Sequence, residues 1–149
     1  MQTEIQTVTD TSPRRALWKL ASCEDFFDRD YETLILAVEN QQLKFAWDIA
    51  APGTARREVR VWRSAALSEF RQQPFPRVTE DDVYRLLLPN RDLKSTELER
   101  ILSCTHQHIY ALAPLWRVVR APAAADGPNS FTTFDRNSVV SFLRSRRLS

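Results

Sequence analysis

Two segments 73 residues apart carry one pattern. They are Val61-Trp-Arg63-Ser-Ala-Ala-Leu67-Ser-Glu-Phe70 and Phe134-Asp-Arg136-Asn-Ser-Val-Val140-Ser-Phe-Leu143. Each has an apolar strand end, an arginine two residues later, a small capping residue, and apolar positions four and seven residues beyond the arginine. A period near half of the 149-residue chain predicts two tandem units of one fold. In both halves the order reads short helix, turn, longer helix, β-hairpin, closing helix. The helix regions align only with a small insertion or deletion, so the copies are diverged. The expected boundaries are a flexible segment 1–13, an N-terminal unit 14–72, a linker 73–78 and a C-terminal unit 79–149. Units this small lie near the lower size at which a domain folds alone, so mutual support across a shared interface is expected.

Local signals fill in the units. Residues 1–13 are polar, rich in Thr and Gln, and end in Pro13; a short β segment fits Ile5–Val8. Arg14–Leu20 suits a short helix or a strand. Ser22 with Asp25 predicts a capped helix over Cys23–Phe27. Asp30 predicts a second helix, Tyr31–Asn40, with Tyr31, Leu34, Ile35 and Val38 on one stripe. Alternation over Leu43–Ile49 and Arg57–Trp62, around an Ala51–Thr54 turn, predicts a hairpin in which Trp47 and Trp62 pair. Ser64 caps a third helix in this reading. Gln72-Gln-Pro-Phe-Pro76 cannot continue it. Thr79 with Asp82 opens a helix that Pro89 stops, and Ser95 and Thr105 each cap another. Strand-like Trp116–Arg120, the Ala121–Ser130 loop and the return strand Phe131–Phe134 form a second hairpin. Asn137 or Ser138 caps the last helix. The four tryptophans read as core.

Composition narrows the function. Only 2 residues are Gly, Gly53 and Gly127, both in expected turns. A G-x-G-x-x-G fingerprint alone needs three, which argues against Gly-rich phosphate loops and dinucleotide fingerprints. The net charge is +2, far from that of a polycationic nucleic-acid binder. It is uneven: residues 1–75 carry 10 Lys/Arg against 11 Asp/Glu, and residues 76–149 carry 11 against 8. The C-terminal half is therefore better suited to meet an anion. Cys23 and Cys104 form neither a disulfide scaffold nor a C-x-x-C zinc pair, and buried free thiols in a reducing compartment are expected. No apolar run approaches the ~20 residues that span a bilayer, so no membrane association and a cytoplasmic location are expected.

The segment Leu93-Lys-Ser-Thr-Glu-Leu-Glu-Arg-Ile-Leu-Ser-Cys-Thr-His-Gln-His-Ile-Tyr-Ala-Leu112 has an amphipathic helix ending in Leu102. A short turn with the small apolar Cys104 follows, and Thr105 caps a second helix. It resembles the helix-turn-helix of excisionase and MerR-like winged-helix DNA-binding families. The resemblance extends through the second hairpin to the basic closing helix at Arg147, and more loosely over residues 22–71. It implies a mainly helical α+β fold of two tandem winged helix-turn-helix units, each with a small β-hairpin. It further implies a non-enzymatic, sequence-preferring double-stranded DNA-binding protein, a transcriptional regulator or architectural factor of a bacterial or phage mobile element.

On that reading Thr105 caps the recognition helix, whose N-terminus favours phosphate. Gln107 is suited to adenine. His106, His108 and Tyr110 are suited to phosphates or base edges, or are simply solvated. Arg117 and Arg120 are placed to approach the backbone or minor groove, and Arg144, Arg146 and Arg147 to grip phosphate. Arg56 and Arg57 occupy the first hairpin tip as wing residues. Arg63 and Arg136 suit structural contacts better than phosphates. The first unit's equivalent helix opens with Asp30 and Glu32, which repel phosphate, so that unit is expected to add other contacts or to oligomerise. His106 and His108 point in different directions and have no evident third ligand, so no metal or other cofactor is expected, and no triad-like motif suggests catalysis. A protein–protein adaptor on the same scaffold is the competing expectation, favoured by the near-neutral charge and the aromatic content.

Overall fold

A strand, two helices, a hairpin and a closing helix follow one another twice in the computed structural model, which describes residues 15–120 and 132–149. In the first half β1 is Leu17–Lys19; after a 3₁₀ turn, α1 is Cys23–Phe27 and α2 is Tyr31–Glu39. The hairpin strands are β2, Ala46–Asp48, and β3, Val59–Trp62, and α3 is Arg63–Arg71. Helix α4, Glu80–Leu87, precedes the second set: β4 (Leu93–Lys94), α5 (Ser95–Leu102), α6 (His106–Leu112), β5 (Val118–Arg120), β6 (Thr133–Phe134) and α7 (Arg136–Ser145). The protein is thus α+β, with about half of its described residues helical and two small antiparallel sheets. Their strand orders match: β1-β3-β2 and β4-β6-β5. The expectations for 1–13 with Ile5–Val8, for Arg14, and for the Ala121–Ser130 loop, Gly127 and Phe131 lie outside the described residues.

Helix starts follow local chemistry at three sites. Asp30 Oδ1 accepts from Thr33 N at 2.8 Å. Thr79 and Asp82 make the reciprocal pair, with Asp82 N donating to Thr79 Oγ1 and Thr79 N to Asp82 Oδ2. Thr105 Oγ1 accepts from His108 N at 3.2 Å. Elsewhere the expected caps are corrected. Ser22 is already helical and makes no side-chain cap, because the 3₁₀ turn runs into α1. Strand β3 passes into α3 without a break, so Trp62 rather than Ser64 is the capping position, and Arg63 N donates to Ala16 O. Lys94 replaces Ser95, with Glu97 accepting from its amide. Asp135, not Asn137 or Ser138, caps α7 by accepting from Ser138 N.

With so few glycines, helix ends fall to other residues. Asp28, Gln72 and Ser103, at φ 54°, 59° and 53°, end α1, α3 and α5 in the left-handed region. Phe45, just before β2, is also left-handed at φ 64°, and its carbonyl accepts from Trp62 N. The register sets Trp47 opposite Arg60, and the expected Trp47–Trp62 pair does not form. Trp62 instead lies opposite Leu17 and meets the Phe45 ring edge-on at 5.7 Å.

One continuous apolar core runs through both halves, and all four tryptophans are buried in it. At its centre the indole Nε1–H of Trp47 donates to the Tyr84 hydroxyl at 3.2 Å, which in turn donates to Glu80 at 2.8 Å. The final residues add a further strand-like segment to the outer edge of β2. Phe45 N donates to Ser149 O, Asp48 N to Arg146 O, and Leu148 N to Ala46 O. Residues 72–79 are irregular, yet Phe75 stacks on Phe45 at 6.3 Å, so the linker is anchored. Among the described residues no helix is long and apolar enough to cross a membrane.

Candidate nucleic-acid interface

Helix α6 is held by Ile109 and Leu112, both fully buried, which turns Thr105, His106, Gln107, Tyr110 and Ala111 outward. His106 Nδ1 lies 3.1 Å from Glu99 Oε2, and its ring meets Tyr110 edge-on at 4.9 Å. These two aromatic residues therefore form one fixed pair on the helix surface. Gln107 is exposed beside them.

His108 has a different environment. It is half-buried, with Nε2 2.7 Å from the carbonyl oxygen of Ile49 in the other half. A carbonyl only accepts, so Nε2 carries the proton and donates. The side chain thus ties α6 to the loop after β2. Along this junction an open groove of about 570 Å³ is lined by Arg56, Thr54 and Ala51 on one side and Thr105, Gln107 and His108 on the other. Arg56 is exposed and makes no ion pair or hydrogen bond among the described residues. Arg57 is half-exposed and 3.5 Å from Glu39.

Four of the remaining candidate arginines, Arg117, Arg144, Arg146 and Arg147, are already engaged by the protein. Arg117 is largely exposed but lies 3.0 Å from Asp135. Arg120 belongs to β5, and its side chain lies outside what is described. Arg144 pairs with Asp81 and Glu80 and lies over the Tyr84 ring. Arg147 is 2.9 Å from Glu80 Oε1 and covers the Phe45 ring, while Arg146 donates to Ala50 O at 3.0 Å. The structure therefore gathers Thr105, Gln107, His108 and Arg56 along one groove. The C-terminal arginines instead clasp α4 and β2.

The repeated arginines both contact their own surroundings. Arg63 lies over the Trp18 ring, and Arg136 donates to the carbonyls of Tyr84 and Leu88. Sequence reasoning overlooked Arg60. It is 2% exposed, although strand alternation would put it in solvent. The β3 segment Val59–Trp62 is buried on both faces, so the alternation in its sequence has no counterpart in exposure.

Neither thiol is poised for reaction. Burial pushes Cys23 up to about 12 and Cys104 up to about 11, so both are protonated at neutral pH. Among the described residues no group of three or more His, Cys, Asp or Glu side chains is arranged to hold a metal ion. No family model, curated protein or solved structure matches the chain.

Proposed function

We propose that the chain is a double-stranded DNA-binding protein of two tandem winged helix-turn-helix units, with α6 as its reading helix. The observation that carries this reading is topological. In both halves a strand leads into two helices across a short turn, and a hairpin follows whose second strand lies at the centre of the sheet. That order suits a helix laid in the major groove with a hairpin beside it.

The chemistry of the exposed row agrees. Gln107 is suited to bidentate pairing with adenine N6 and N7. Tyr110 and His106 are suited to phosphates or base edges and Arg56 to the backbone, which Arg117 joins only by giving up Asp135. Because most other candidate cations already have protein partners, few phosphates are neutralised. The salt dependence is then shallow, with a log–log slope of about −2 to −3 for about three contacts.

Fluorescence anisotropy on a randomised duplex pool, followed by selection and titration at stated salt, tests the reading. Gln107→Ala is expected to relax sequence preference. Arg56→Ala is expected to weaken all sequences alike. Binding left untouched by both changes overturns the reading. A second reading, a protein–protein adaptor or homo-oligomer, is favoured by the exposed apolar side chains of Tyr110, Leu115, Val118 and Val119, close together in the sequence. Light scattering, with Val119→Glu dispersing any self-associated form, distinguishes it.

A further inference from the structure

A second groove, of about 530 Å³, opens between the start of β1 and the corner where α4 meets α5. Its lining combines apolar Leu86, Leu87 and Ile101 with Arg15, Arg85 and Arg100. Leu86 is 66% exposed, more than any other large apolar side chain among the described residues. An exposed leucine alone has no meaning, but one set among three arginines and other apolar lining combines two kinds of recognition.

The charges in this groove are not balanced within the protein. Arg15 and Arg100 make no ion pair or hydrogen bond among the described residues, whereas Arg85 pairs with Asp82. The one acid in the lining, Glu97, is gripped by both guanidinium nitrogens of Arg91 and accepts from Lys94 N. That grip holds its carboxyl down at about 2, so it is ionised but already compensated. Among the described residues, the groove therefore presents two positive charges without an ion pair beside an exposed leucine.

We propose that this groove docks an acidic, leucine-bearing peptide segment of a partner protein. Carboxylates of such a segment meet Arg15 and Arg100 while its apolar side chains cover Leu86 and Ile101. A phosphate backbone would satisfy the arginines and leave the apolar lining in water, so charge complementarity and apolar cover together favour the peptide. None of the groove's lining residues belongs to α6, so this site does not rest on the DNA-reading proposal.

The probe is a fluorescein-labelled amphipathic peptide with Glu and Leu at helical spacing, titrated into the full chain. Saturable binding is expected. Arg15→Glu and Arg100→Glu are each expected to weaken it about tenfold, chiefly through association that high salt suppresses. Leu86→Ser, and a control peptide with Ser in place of Leu, are expected to abolish the apolar share. These three side chains are exposed, and thermal melts confirm that each variant folds. Absence of saturable binding, or binding indifferent to the charge reversals, overturns the proposal. So does a labelled duplex that depends on Arg15 and Arg100 while the peptide does not.

Discussion

Arg60 of β3 holds the turn between α5 and α6: its Nε donates to Leu102 O at 2.8 Å and its Nη2 to Ser103 O at 3.0 Å. Ser103 answers with a bond from its hydroxyl to Leu17 O at 2.6 Å. The end of α5 leaves carbonyls that the helix itself cannot satisfy, and the buried guanidinium supplies donors for them. Burial pulls Arg60 down from its ordinary value, and neighbouring Glu58 works against that pull. A planar fork of donors suits two carbonyls at once, which an ammonium does not match.

Arg60→Met therefore leaves both carbonyls buried without a donor. The expected loss is about 2–4 kcal/mol, because unsatisfied buried acceptors cost more than the bonds themselves contribute. Urea unfolding followed by tryptophan fluorescence measures it. Arg60→Lys is expected to recover only part of the loss. An unchanged midpoint for Arg60→Met refutes the role assigned to this residue.

Removal of residues 146–149 strips the outer edge of β2. The amides of Phe45 and Asp48 lose partners held at 2.9 Å. The expected cost is about 2–4 kcal/mol over several such bonds. Hydrogen exchange gives a local readout: these two amides are expected to exchange faster than those of β3, which retain β1. Equal protection in the full and shortened chains contradicts this pairing.

Gln72 closes α3 at φ 59°, a conformation that costs an ordinary L-residue about 1–2 kcal/mol. Gln72→Gly removes the strain but adds freedom to the unfolded chain. The expected net gain is about 0.5–1 kcal/mol, seen as a higher melting temperature. Phe45→Gly at the similarly left-handed Phe45 is expected to destabilise instead, since that side chain packs against Trp62, Trp47 and Phe75. A gain at Phe45 would contradict the packing.

The Arg91–Glu97 pair sets an acid limit. The hydrogen bonds from Arg91 hold the Glu97 carboxyl at about 2, below its ordinary 4.5. A depressed carboxyl stabilises the fold above its unfolded value, and that contribution is lost as pH falls through the folded value. The gap in stability between the parent chain and Glu97→Gln is therefore expected to shrink from pH 4.5 towards 2 and to narrow at high salt. Acid titrations of both chains by circular dichroism check it, and a pH-independent gap is the contrary result.

Elements fixed by neighbours in sequence were legible. Asp30, Thr79 and Thr105 cap their helices because a side chain three residues from the orphan amide needs no tertiary help. Ser64 and Ser95 failed as caps because a strand feeds each helix directly, and sheet geometry, invisible locally, decides where the first turn begins. The same limit applied to the site. Exposure of Gln107 and Tyr110 follows from the helical stripe of Ile109 and Leu112. The capture of His108 by Ile49 depends on a neighbour 59 residues away, and so does the pairing of Arg144 with Asp81, which are 63 residues apart. Charge clusters read as free surface until the acids that face them are known.

The bridge between Trp47 and Arg147 joins positions 100 residues apart. Such pairing raises the contact order of the fold, because a long stretch of chain must lose its freedom before these bonds can form. The β2 edge is complete only when the second half is in place, so the two halves are expected to appear in one cooperative transition.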